Sequence, residues 1–170
     1  AEDNRVVYTI CCFRGGRGTQ MFLDGDNFDG GSQIPNYPPG NLIGFRDTDT
    51  LVNYATNSYA VVTTSGIFYT PNIGAGTHNW RSLGTGQPAN TCGIYASRDG
   101  SGNPVFYART GSCNHDTNAD AGIWRHDGAS TSGAWTQIQR NGNNQFGVFT
   151  VNPQNADHLL AQDQGGTDPV

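Results

Sequence analysis

The sequence predicts an all-β protein built from repeated four-stranded units. Three observations carry this. Helix formers are scarce: the 170 residues include no lysine, one glutamate (Glu2), one methionine and six leucines, against 24 glycines, while Thr, Val, Tyr, Phe and Trp are common. Between Gly122 and Ala161, short apolar runs alternate with clusters of Gly, Asn, Ser and Asp, the pattern of successive strands and turns. The same block also recurs upstream.

The recurrence is ordered. Gly66-Ile67-Phe68-Tyr69-Thr70 aligns with Gly122-Ile123-Trp124-Arg125-His126 at an offset of 56. Trp80 then aligns with Trp135, Gly93-Ile94-Tyr95-Ala96 with Gly147-Val148-Phe149-Thr150, and Val105-Phe106-Tyr107-Ala108 with His158-Leu159-Leu160-Ala161. The offset drifts down by one residue at each match and ends at 53. Four strands per repeat of this length is the period of a β-propeller blade. A compact sandwich of the same strands is the alternative.

Naming the strands of each unit A to D places the elements in order. An incomplete first unit has B over residues 6–13, C over 20–24 and a weak D over 33–37, and residues 25–46 fit the repeat poorly and read as a long loop. The second unit has A over 51–55, B over 59–64, C over 66–70 and D over 80–83. The third has A over 93–97, B over 105–109, C over 122–126 and D over 135–139. A last A over 146–151 and B over 158–162 follow. In domain terms the chain is a single propeller segment: 1–40 a partial blade and loop, 41–90 and 91–140 blades, and 141–170 the start of another. Closed propellers have at least four blades, so the chain is expected to be part of a longer propeller or to assemble with further copies.

Charge and cysteine usage narrow the function. A net charge of -5 with nine scattered arginines gives no basic footprint for nucleic acid. No apolar run is long enough to span a bilayer, and residue 1 reads as a processed terminus or a cut. Cys92 and Cys113 lie nearly equidistant from the turn Arg98-Asp99-Gly100-Ser101-Gly102-Asn103, so antiparallel pairing of A and B brings them together as a disulfide. Cys11 and Cys12 are adjacent and point to opposite faces of a strand. A secreted, extracellular or periplasmic protein is expected.

The turn Val151-Asn152-Pro153-Gln154-Asn155-Ala156-Asp157-His158-Leu159-Leu160-Ala161 resembles the A–B hairpin of BNR (Asp-box) propellers, the superfamily of sialidases, xyloglucanase-type glycosidases and sortilin-type receptor domains. The Asp box itself, roughly S-x-D-x-G-x-x-W, is present in degraded form: His126-Asp127-Gly128 followed by Gly133-Ala134-Trp135. The Tyr69–Trp80 segment keeps the Trp and loses the Asp. The resemblance covers most of residues 50–165. It implies structural roles for Asp127, as the carboxylate that ties down the C–D turn, and for Trp135 and Trp80, as rings packed between sheets.

Chemistry-bearing residues are few. A glycosidase needs two carboxyl groups about 5–9.5 Å apart across the scissile bond. With Glu2 the only glutamate, the Tyr–Glu pair of sialidases is missing, and such a pair has to be two aspartates. Asp47, Asp49 and Asp99 fall on loops where catalytic groups are expected, although solvated turn aspartates are the commoner use of such positions. Asp24, Asp26 and Asp29, with Asn27 and three glycines, offer hard oxygen ligands for calcium, or an ordinary Asp/Gly turn. His78, His115, His126 and His158 share no ligand spacing and read as surface histidines. The function expected is a non-catalytic module that binds a glycan or protein or builds an extracellular assembly. The alternative is part of a glycoside hydrolase that uses an aspartate pair.

Overall fold

The computed structural model describes residues 8–10, 20–23, 32–33, 38–39, 51–72, 80–111, 122–140 and 146–163. Among them the regular structure is all strand: β1 (Tyr8–Ile10), β2 (Gln20–Leu23), β3 (Ser32–Gln33), β4 (Leu51–Ala55), β5 (Ser58–Thr63), β6 (Gly66–Thr70) and β7 (Arg81–Ser82), then β8 (Thr91–Arg98), β9 (Pro104–Thr110), β10 (Gly122–Asp127), β11 (Thr136–Arg140), β12 (Phe146–Val151) and β13 (Leu159–Asp163). No helix among the described residues is long and apolar enough to cross a membrane.

The strands pair antiparallel with their neighbours in sequence. β4-β5-β6-β7 form one four-stranded sheet and β8-β9-β10-β11 a second; β12 pairs with β13, and β1-β2-β3 form a small separate sheet. This is the meander that short turns between strands favour. At the β4–β5 turn Asn57 takes φ 58°, a left-handed conformation that Asn tolerates better than most residues. No closed sheet arises from these strands, and the all-β class with two four-stranded antiparallel sheets is what the structure establishes.

The three sheets containing β4 to β13 stack in series. β8, the first strand of the middle sheet, packs against β4 on one side and β12 on the other. Strand alternation sends side chains to the two faces in turn. Ile94, Phe106 and Ala108 therefore join Tyr54, Ala60, Val62, Ile67, Tyr69, Leu83 and Trp135 in one core. Val105, Tyr107 and Ile123 join Phe149, Ala156 and Ala161 in a second core on the opposite face. Edge-to-face rings close both: Tyr54 on Phe106 at 5.1 Å and Tyr95 on Phe149 at 4.6 Å. Each large side chain buried this way contributes about 1.5–3 kcal/mol.

Polar anchors fix the stack. The 152–158 turn is held to the middle sheet by Ala156 N donating to Arg98 O (2.8 Å) and by Ser97 Oγ donating to Asn152 O (2.5 Å). The buried Tyr107 hydroxyl donates to Ala156 O. Tyr107→Phe leaves that carbonyl short of its donor and is expected to lower stability by about 1–2 kcal/mol. Urea unfolding followed by tryptophan fluorescence measures the loss, and an unchanged midpoint would show that the bond contributes nothing net.

Candidate functional site

The polar groups of the described residues gather where the turns of the middle sheet meet its neighbours. Arg98, the last residue of β8, lies at the centre. Its guanidinium donates through Nη2 to Tyr54 O of the first sheet (2.9 Å) and through Nη1 to Gly102 O (2.8 Å). Its own carbonyl receives Ala156 N from the third sheet. One residue thus ties three sheets.

Beside it, Asp99 folds the β8–β9 turn around its own carboxylate. Oδ1 accepts the backbone N–H of Ser101 (2.9 Å) and of Asn103 (2.8 Å), and Oδ2 accepts Asn103 Nδ2 (3.0 Å). These bonds, led by the Asn103 side chain, hold the carboxyl below its ordinary range. A carboxylate committed to its own turn amides is poorly suited to deliver a proton to a leaving group. Asp99 is therefore a turn former here, for the reason that Asp is favoured in turns generally.

A second cluster forms at the end of β10. Arg125 Nε donates to Asp127 Oδ1 at 2.8 Å, and Nη1 lies 3.5 Å from Asp157 Oδ1 on the 152–158 turn. The guanidinium lies 6.0 Å from the centre of the Tyr107 ring. Asp127, then Tyr107 and Asp157, favour the charged guanidinium and raise its pKa against the opposing effect of burial. Burial raises the Tyr107 pKa, partly countered by Arg125. Across the first interface, burial pushes Tyr54 up to about 12. Both acidic partners of Arg125 are largely exposed, so the ion pairs position the turn more than they stabilise it.

The expected structural residues separate at this point. Trp135 is buried in the core between the first two sheets, and its indole N–H donates to Leu83 O at 2.7 Å. Trp80 is half-buried, and its indole nitrogen has no hydrogen-bond partner among the described residues. Asp127 is exposed and its carboxylate is engaged by Arg125. The turn between β10 and β11 is instead held from the first sheet: Gly84 N donates to Ser130 O (2.9 Å), Thr85 N to Gly133 O (2.8 Å) and Trp135 N to Thr85 O (3.1 Å). Five residues separate Asp127 from Gly133, and that longer turn gives the backbone its own partners across the interface.

Cys92 is buried at the start of β8 and disulfide-bonded, and Cys113, its expected partner, lies outside the described residues. So do Asp24, Asp26 and Asp29, the calcium candidates, and the loop aspartates Asp47 and Asp49. Among the described residues no group of three His, Cys, Asp or Glu side chains is placed to hold a metal ion.

One sequence expectation needs correction. His126, read as a surface histidine, is 1% exposed, whereas His158 is exposed as expected. The signal was present in β10: His126 is two residues beyond Trp124 and so shares its face, the one turned to the first sheet. Reading it as a surface histidine overlooked that alternation within the strand. Arg98, Arg125 and Gln87 also escaped notice. Gln87 clamps the β6–β7 edge, accepting Ile67 N (2.8 Å) and donating to Ile67 O (2.7 Å), Ser82 Oγ (3.0 Å) and Leu83 O (3.0 Å). No motif announces such a role.

Compared with protein-family models, with curated proteins and with solved structures, the chain has no match.

Proposed function

We propose that this chain is a segment of an Asp-box-type β-propeller that serves as a non-catalytic module outside the cytoplasm, binding a glycan or protein through its turns. The observation that supports this reading best is the serial stacking of the sheets through their first strands, β4 on β8 and β8 on β12, with β9 of the middle sheet contributing to a core on each face. A propeller is built by that step repeated around an axis. The disulfide at Cys92 fits an oxidising compartment. The engagement of Asp99, Asp127 and Asp157 in turns and ion pairs fits a scaffold better than an acid–base pair. Calcium held by Asp24, Asp26 and Asp29 belongs to the same proposal as a loop-ordering ion.

The test is a paired assay on the native protein: binding to an array of glycans, and release of chromophore from a panel of aryl glycosides. Saturable binding without turnover is the expected result. Turnover that disappears in Asp47→Asn or Asp49→Asn would replace this reading with that of a glycosidase.

A further inference from the structure

We propose that His126 is an acid-sensitive clasp that holds the first two four-stranded sheets together at neutral pH and loosens them in acid. The ring is pinched between two backbone segments. A Cβ added at Gly84, in the connection after β7, would lie 2.7 Å from its Cε1 and 2.9 Å from its Nδ1, and one added at Gly133 would lie 3.1 Å from Cε1. Trp135 stacks on it with centroids 5.3 Å apart and 26° between planes. Neither Nδ1 nor Nε2 has a hydrogen-bond partner among the described residues. The neutral ring is thus used as a flat aromatic plate. The imidazolium would bring a charge and a second N–H donor into a buried slot where, among the described residues, the backbone groups of Ala134, Ser130 and Gly128 come near the ring but none meets a ring nitrogen in good hydrogen-bonding geometry.

No acid is placed to receive that charge from the segments forming the slot. Residues 83–87 and 128–135 contain no titratable side chain. On β10 itself, Arg125 and Asp127 alternate to the opposite face and pair with each other. On β9, His126 faces Phe106, and Arg109 faces Ile123 at the other end of β10. In the adjoining sheets and turns, Arg81 faces Tyr69, and Arg98 is occupied by Tyr54 O and Gly102 O. Burial lowers the His126 pKa and outweighs the nearby backbone of Ala134, the Asp127 charge and the backbone of Ser130 and Gly128, which all act the other way.

The sign of the effect follows. The folded-state pKa lies below the unfolded value of about 6.5, so the unfolded or opened form takes up the proton first as pH falls. The clasp has its full strength above about pH 6.5 and weakens from there down to the folded pKa, below which the loss is complete.

Three amides cross the clasp and report on it: Gly84, Thr85 and Trp135. Their hydrogen-exchange protection, corrected for intrinsic rates, is expected to fall by about tenfold per pH unit over that window, with β8–β9 amides unaffected. His126→Phe retains an aromatic plate without a titrating group and is expected to abolish the pH dependence. His158→Gln, which removes an exposed imidazole, is expected to leave it unchanged. The same acid response in His126→Phe would overturn the proposal. So would an NMR titration of the wild-type His126 ring with a midpoint at or above about 6.5. That titration decides the matter alone if the Phe variant does not fold.

Discussion

Trp135→Ala is expected to lower the free energy of unfolding by about 3–5 kcal/mol, the range for removing a buried aromatic side chain. The indole fills the core between the first two sheets, together with Leu83, Phe106 and Tyr69, and supports the flat face of His126. Its removal leaves a cavity at the junction, and the surrounding strands are too tightly paired to collapse into it. The hydrogen bond is the smaller part of the effect. Leu83 O also accepts from Gln87 Nε2, so it keeps a donor when the indole N–H is lost. Trp135→Phe, which retains most of the ring, is therefore expected to cost about 1 kcal/mol. Guanidinium unfolding of both variants separates the terms. Equal losses would mean that the hydrogen bond, and not the ring volume, holds the junction.

Gly84→Ala is expected to destabilise by about 2–4 kcal/mol, which combines a left-handed backbone cost with overpacking. Gly84 has φ +72°, and the added methyl would lie 2.7 Å from His126 Cε1 and 3.0 Å from Gly133 O. A backbone oxygen cannot swing aside as a flexible side chain can. Gly86→Ala is the control: φ is +60°, but nothing lies within 4 Å of the new Cβ, so only the backbone cost of about 1 kcal/mol applies. Thermal unfolding of the two variants reads the difference. Equal shifts would mean that the Gly84 site relaxes and that the contact with His126 is slack.

Much of the fold is legible in the sequence because strands and turns are local. Residues 51–55 and 66–70 were expected as strands and form β4 and β6 with those limits. The others among β4–β13 begin and end within two residues of expectation. Alternating apolar residues and Gly or Asn turns set these limits before any contact between sheets is made. The sites were less legible. Asp99 and Asp127 have the same side chain, and both lie at strand ends, one just after β8 and the other closing β10. One folds a turn around itself and the other pairs with an arginine two residues earlier. Composition does not distinguish these uses, because the deciding partners are the Asn103 side chain and two backbone amides of the same turn in one case and a side chain on the same strand face in the other.

The sequence by itself determined an all-β chain of repeated antiparallel meanders, because period-two alternation, scarce helix formers and frequent turn residues act over a few positions at a time. Only the tertiary structure decided how the meanders meet: the Gly84–Thr85 connection against the Ser130–Gly133 turn, Arg98 bridging three sheets, and a histidine buried between two glycines and a tryptophan. The contacts between sheets join residues more than 40 positions apart, and their energy exists only once the sheets have stacked.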